Sequence, residues 1–393
     1  MLENLGIARR CRARWRLARF AAGLAVLLAS GTGLAASRLE LFPDSAEPAH
    51  YFRDTSGAGT RSFGLEETPI DADAASEGLD APDAAAPAAA KPPFWEIENP
   101  AVAAGAFRTI PPGGFPPRPL WDTKTTLSTA AIFAFTTLYG SSGGWNTGYQ
   151  DFHFHNEHFF GHNTYAGGVD KVSHFVVSVT ISRELALLYD LYGHTREQSL
   201  ALSFGVTAIT GLAVEFWDGI TNYGFSWEDL TMDVLGSATG VFLLRHGLND
   251  IIGFRGGKVP TQVPVDGHNE AIGSGYSTEI YSGDFKLAGL ARRMQFEPGL
   301  ARFLLTSITY STKGYGYQPP IPDRQRLVGF ELGLNVPEIL AATGVPSNVW
   351  WGSLLYKIFT FFRLPYTSFG WRYDFNHHKW HGPDTGDAYY GGE

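Results

Sequence analysis

Cysteine is all but missing. The single one among 393 residues, Cys11, stands in an arginine-rich stretch near the N-terminus, so the chain cannot close a disulfide on itself. Long uninterrupted apolar runs are lacking in the middle of the chain as well. Charged groups at Arg183, Glu184, Glu215 and Asp218 interrupt its helical segments before any reaches the ~20 consecutive apolar residues of a clean bilayer crossing. Basic charge is scarce beyond the start: the formal net charge is −9, although the first 36 residues hold six arginines against one acid, Glu3. An acidic remainder argues against a nucleic-acid partner. No phosphate-cradling glycine loop is present either, since Lys313-Gly314-Tyr315-Gly316 lacks both the P-loop spacing and a strand-to-helix setting.

What is present is enough to fold. Apolar residues make up 44% of the chain and aromatics 14%, sufficient for a sizeable core. The arginine-rich start runs into an apolar stretch over 20–34 and then Leu34-Ala35-Ala36-Ser37. This is the order of a secretory signal peptide over 1–36, with cleavage expected near Ala36. The alternative, an uncleaved anchor, needs a longer apolar stretch. Export places the protein in the periplasm or outer membrane of a Gram-negative bacterium. Residues 37–118 are rich in Ala, Pro, Asp and Glu without a sustained apolar period, and read as a disordered acidic linker. Pro111-Pro112-Gly113-Gly114-Phe115-Pro116-Pro117 closes it.

Helical periodicity follows over 125–139, 170–191, 199–218 and 227–246, with Ser226 as the N-cap of the last. Beyond Gly256 the period falls to two. Over 326–336, Val328, Phe330, Leu332, Leu334 and Val336 alternate with Leu327, Gly329, Glu331, Gly333 and Asn335, which predicts a strand with one apolar face. Weaker strand signals cover 302–310 and 276–287. The expectation is an α+β protein: a four-helix membrane-associated bundle over 119–250, carrying a DKxxH motif, followed by a strand-rich, aromatic-rich C-terminal region over 251–393. The aromatic tail over 350–371 and the segment Phe375-Asn376-His377-His378-Lys379-Trp380-His381 suit a surface or a membrane interface.

The chemistry-bearing residues cluster in and after 151–174, which holds five of the twelve histidines. Asp170 and His174 lie four apart on one helical face, beside Lys171. Glu184, fourteen positions on, returns to within about 40 degrees of Asp170, while Arg183 points roughly opposite His174. Glu215 and Asp218 share a face at the end of the third helix, and Asp229, Asp233, Gly236 and Gly240 form one stripe on the fourth. Packed together, these pairs converge. Carboxylates and a histidine from facing helices are the ingredients of a divalent-metal site or of acid-base catalysis. Asp170, His174, Glu215 and Asp218 are therefore the candidate catalytic groups, supported by Glu157, Lys171, Arg183, Glu184, Asp229 and Asp233. The competing reading is structural: Asp170 pairs with Lys171, His174 hydrogen-bonds inside the bundle, and the acids of the fourth helix serve its N-terminus. That reading fits Glu215 poorly, because a partly buried acid must find a partner. His153, His155, His158 and His162 alternate with Phe152, Phe154, Phe159 and Phe160, which favours an aromatic loop packed on the bundle over a metal cluster. Glu157 is the acid of that loop best placed to reach the bundle.

The order of Asn156-Glu157, Asp170-Lys171-Val172-Ser173-His174-Phe175, Ser182-Arg183-Glu184, Glu215-Phe216-Trp217-Asp218-Gly219 and Phe225-Ser226-Trp227-Glu228-Asp229, with Asp233 and Gly236, resembles the YfiM-like family of predicted periplasmic lipoproteins. The likeness covers about 145–245, and RQRLVGFELGLN over 324–335 resembles the extension of larger members. The chain departs from the lipoprotein pattern in having no cysteine after its signal peptide. A more distant similarity is to VanZ-like membrane proteins, matched at Asp170, Lys171, His174, Phe175, Glu215, Ser226, Asp229 and Gly236. These resemblances imply a fold and a set of positions, not a reaction. Two functions are thus expected to compete: a membrane-associated structural or accessory protein of the envelope, with membrane lipid or envelope components as partners, and a metal-assisted hydrolase or transferase acting on a lipid or cell-wall substrate, with a divalent metal as its cofactor.

Overall fold

The computed structural model describes residues 119–143, 149–258, 264–265, 268–269, 276–316, 323–347 and 349–384. The expected signal peptide and linker lie outside the described residues. Helix α1 spans Thr123–Gly143, α2 Val169–Tyr192, α3 Arg196–Gly219 and α4 Trp227–Arg245. All four coincide, within a few residues at each end, with the segments read from periodicity. Local signals explain their ends. Gly193 takes the left-handed conformation (φ 92) that stops α2, and Thr195 and Gln198 close a reciprocal capping box that starts α3. Asp190 and Arg196, 2.5 Å apart, clamp the hairpin between them. Ser226 Oγ accepts the Asp229 amide at 3.2 Å and caps α4.

Helices α2, α3 and α4 pack on one another as a tight trio, and α1 attaches at one end through Thr125 to His194 (2.7 Å) and Thr129 to Tyr189 (3.2 Å). Close approach depends on glycine. A Cβ on Gly236 would stand 2.3 Å from the Phe175 carbonyl, and one on Gly240 would stand 2.1 Å from Ser182 Oγ, so α4 meets α2 almost backbone to backbone. The buried sides are rich in small polar groups: Ser178 and Ser182 on α2, Ser203, Thr207 and Thr210 on α3, Ser237 on α4. An apolar cluster of Leu185, Leu188, Tyr189, Leu202, Val206 and Ile132 fills the end next to α1.

The second half is built on a six-stranded antiparallel sheet whose strands follow in chain order, β1 Ile252–Lys258, β2 Glu279–Lys286, β3 Leu304–Lys313, β4 Gln325–Leu334, β5 Ser368–Asp374 and β6 Lys379–Asp384, with a separate two-residue pairing of Pro264–Val265 and His268–Asn269 between β1 and β2. Short helices interrupt it, α5 (Leu287–Arg293) after β2, then α6 (Val336–Ala342) and α7 (Trp350–Phe361) after β4. The described residues are therefore α+β, with seven helices and a six-stranded antiparallel sheet. Helix α7 ties the halves together. Lys357 Nζ pairs with Glu184 on α2 at 2.5 Å, and the Arg363 amide just after the helix donates to the Gly256 carbonyl of β1 at 3.0 Å.

The two faces of the sheet are inverted relative to a soluble protein. On β4, Phe330, Leu332 and Leu334 are 53%, 47% and 39% exposed, while Glu331 between them is 4% exposed. Inward charges meet opposite ones. Arg255 holds Asp284 with two nitrogens (2.5 and 3.1 Å), and Ser307 Oγ adds a bond to the same carboxylate. Glu331 takes Arg363 Nη2 (2.6 Å), Ser368 Oγ (2.7 Å) and Arg372 Nη2. Pairing of this quality is what lets buried charge survive away from water.

Candidate functional site

The site forms at one end of the trio, where α2 and α4 begin and α3 finishes. The histidine-rich segment before α2 runs beside the α3–α4 connection: the His153 amide donates to the Gly219 carbonyl, His155 to Phe225, and Phe225 back to His153, each at 2.9 Å. Phe152 lies over Gly219, where a Cβ would meet its ring at 2.4 Å. The phenylalanines of this segment pack against Phe216, Phe225 and Trp227. His158 and Phe159 then both take left-handed backbone (φ 54 and 47), a conformation that costs side-chain-bearing residues about 1–3 kcal/mol each and calls for compensation. Glu228 Oε1 and Asn156 Oδ1 supply some of it by accepting the His158 amide at 3.1 and 2.9 Å. This turn delivers Glu157 to the helices. The β3–β4 end of the sheet holds the next stretch, with Tyr315 Oη donating to the His162 carbonyl at 2.9 Å and Tyr310 Oη donating to that of Gly167.

At the centre is Lys171, fully buried, whose ammonium meets Glu157 Oε2, Asp170 Oδ2 (2.9 Å) and Asp229 Oδ1 (2.8 Å). Next to it, His174 Nδ1 lies 3.1 Å from Asp233 Oδ2 and Nε2 lies 3.8 Å from Asp229 Oδ1. Ser178 Oγ donates to the other Asp233 oxygen at 2.7 Å. Glu215 Oε2 accepts the Ser226 amide at 3.0 Å, while its Oε1, on a residue 1% exposed, has no hydrogen-bond partner. Space for the Asp233 carboxylate comes from Gly211 on α3, where a Cβ would stand 2.6 Å from Asp233 Oδ2.

Two clusters of three ligand-type groups result, each with one atom per residue within 4.8 Å of the others: Glu157, Asp170 and Asp229, which surround Lys171, and His174, Glu215 and Asp233. Five carboxylates therefore face one ammonium and one imidazole, so full ionisation is unfavourable. Glu157, on the loop, shows the consequence: burial and the adjacent carboxylates of Asp229 and Asp170 push its pKa up from 4.5 to about 8 despite Lys171. Such a centre can store a proton or hold a cation.

The structure thus brings Glu157, Asp170, Lys171, His174, Glu215, Asp229 and Asp233 together. It does not bring Arg183 or Glu184. Fourteen residues of helix carry Glu184 about 21 Å along the axis from Asp170, to Lys357, and Arg183 stacks 5.0 Å over the Phe361 ring. An angular match on a helical wheel says nothing about height. Asp218 is in neither cluster; its carbonyl accepts the Thr221 and Gly224 amides and shapes the turn into α4. The loop histidines are in neither cluster, and His162 Nδ1 faces Asn163 at 2.8 Å. Ser178 and Glu228 were not singled out from the sequence. Ser178 carries a signal in hindsight, standing four residues after His174 on the same helical face.

Residues 156–245 match a family described as a predicted periplasmic lipoprotein (DUF2279). The matched stretch runs from the turn that presents Glu157 to the end of α4, and so contains every residue of both clusters. At this level the likeness to periplasmic lipoproteins read from the motifs stands, and the chain is an exported protein of the periplasm or outer membrane. No curated protein and no solved structure matches it.

Proposed function

We propose that this chain is an accessory protein seated in the outer membrane, with acyl chains against its outer faces and the carboxylate centre enclosed at one end of the trio. The observation that carries this reading is the inverted burial, which occurs in both halves. On α3 the outer side is Phe204, Ile209, Leu212 and Phe216, and on α4 it is Val234, Leu235 and Phe242, all exposed, while serines, threonines, glycines and acids face inward. Small-residue interfaces with apolar exteriors are how helices associate in lipid, where burying apolar surface gives no advantage. Exposed patches of this extent on a soluble monomer are rare.

The sheet repeats the pattern. Ile308, Phe330, Leu332, Phe369 and Trp371 look outward, and the paired charges of Asp284 and Glu331 look inward. Apolar-out, polar-in alternation on ten-residue strands such as β3 and β4 is the pattern of outer-membrane β-structure. Helices α2 and α3, at 24 residues each, are long and apolar enough to cross a membrane by length and composition, though 67% and 50% of their most apolar windows are buried in the protein. Length alone is weak support; the apolar exterior shared by helices and sheet is the stronger.

The test is reconstitution of the full chain into vesicles containing lipids brominated along their acyl chains. Tryptophan emission should be quenched, and replacing outward-facing Trp371 by Phe should remove part of the quenched signal. A monodisperse monomer in detergent-free buffer that ignores the vesicles would overturn the proposal.

A further inference from the structure

We infer that His174, Glu215 and Asp233 form a binding site for a divalent transition-metal ion, distinct from the lysine-filled cluster beside it. Among the described residues two sets of three ligand-type groups lie close enough to share an ion. They differ in what already neutralises them. The ammonium of Lys171 occupies the first, in contact with all three of its carboxylates. Among the described residues, no ammonium or guanidinium pairs with the second, whose carboxylates are opposed by the His174 imidazole alone.

The second set is also incomplete as a hydrogen-bonded network. Asp233 is satisfied on both oxygens, by His174 and Ser178, and Glu215 Oε2 by the Ser226 amide. Glu215 Oε1 is left without a partner on a side chain almost wholly removed from solvent, in the carboxylate whose ligand atom lies within 4.8 Å of those of His174 and Asp233. A buried carboxylate oxygen with no donor is costly, and a cation shared with the two neighbouring groups satisfies it. Asp229 Oδ1, 3.8 Å from His174 Nε2, adds negative potential while remaining bound to Lys171.

The surroundings are arranged as metal sites are. Ser178 fixes one Asp233 oxygen, and the Ser226 amide fixes one Glu215 oxygen, so Glu215 Oε1 and the Asp233 oxygen that now meets His174 are oriented before any ion arrives. Ligands come from three different elements, α2, α3 and α4, whose spacing is set by Gly211, Gly236 and Gly240. One imidazole with two carboxylates selects ions such as Zn²⁺ or Mn²⁺ over Ca²⁺, which prefers an all-oxygen shell of six to eight ligands.

Isothermal titration of the full chain in detergent, stripped with chelator and then given ZnCl₂ or MnCl₂, tests this directly. One ion per chain is expected, with CaCl₂ at least tenfold weaker. Glu215→Gln, which keeps an acceptor for the Ser226 amide, and His174→Ala should each weaken binding at least tenfold. His158→Ala, on the loop outside both clusters, should leave it unchanged. Circular dichroism on each variant separates a lost ligand from a lost fold, and Asp233→Asn gives a second, near-isosteric removal of ligand charge should His174→Ala fail to fold. Wild-type protein that takes up neither ion, or folded Glu215→Gln and Asp233→Asn that bind as wild type does, would overturn the assignment. Neither result bears on the membrane reading, whose readout is lipid contact.

Discussion

Replacing Lys171 by Met keeps most of the buried stem and deletes the charge, and so asks how much the ammonium holds together. Its Asp170 and Asp229 contacts lie at 2.9 and 2.8 Å, with Glu157 closer still, and the side chain is fully buried. At an effective dielectric near ~20, each of those two pairs carries roughly 6 kcal/mol of gross attraction, most of it offset by the desolvation of both partners. What remains after deletion is the buried Asp170 and Asp229 carboxylates without their ammonium, beside a Glu157 that holds its proton at neutral pH. Removing one partner of a buried ion pair costs about 3–5 kcal/mol, and the same loss is expected here at neutral pH. Because the penalty arises from ionised carboxylates, it should shrink as pH falls toward the range in which they take up protons. Adding Asp170→Asn and Asp229→Asn to the methionine variant should restore part of the loss. Urea unfolding followed by far-UV circular dichroism, on wild type and the variants between pH 7 and pH 4, reads each of these. A deficit below about 1 kcal/mol at pH 7, or one that does not change with pH, would refute the view that Lys171 neutralises this cluster.

Two further predictions use other parts of the site. In the folded state Glu157 keeps a proton between its ordinary value of 4.5 and about 8 that the unfolded chain has already lost, so its favourable contribution is full below the lower value and disappears as pH rises through the upper one. Glu157→Gln should flatten the fall of urea midpoint with pH across that window, and an unchanged slope would contradict the assignment. Gly211→Ala drives a methyl into Asp233 and should destabilise by about 1–3 kcal/mol, whereas Gly205→Ala on the same helix meets nothing within 4 Å and should stabilise by about 0.4–1 kcal/mol in the same thermal melt.

The site was legible in the sequence to the extent that it rests on helical spacing. Asp170 with His174, and Asp229 with Asp233, share faces because they are four apart, and all stand near helix starts, the second of which the sequence marks with Ser226. Proximity in sequence fixes both angle and height for such pairs. Glu184 shows the limit: its angle matched that of Asp170, but its height placed it at Lys357 on α7, more than 170 residues later in the chain. Nor could spacing show that Lys171 would claim three carboxylates and leave His174 with the others. That division depends on how deeply Gly236 and Gly240 let α4 settle onto α2, a tertiary distance that no pattern of residue types encodes.

The sheet shows a different kind of limit. Period two in β4 separates Phe330, Leu332 and Leu334 from Leu327, Gly329, Glu331 and Gly333, and the separation holds in the fold. What alternation leaves open is which set faces the protein interior. In water the apolar set turns inward; in lipid that preference is reversed, since acyl chains accept Phe and Leu and the polar set must be satisfied inside. Glu331 carries the deciding information, but its partners, Arg363 and Arg372, lie 32 and 41 residues away. Each is an unremarkable arginine until the chain closes and three charges meet behind the strand. The interior of the sheet is therefore specified by charge complementarity among distant residues, and its exterior, on the proposed membrane reading, by lipid. A soluble-protein rule applied to β4 alone chooses the wrong face, while the same rule applied to Glu331, Asp284 and Arg255 together finds their pairing and puts the apolar residues outside.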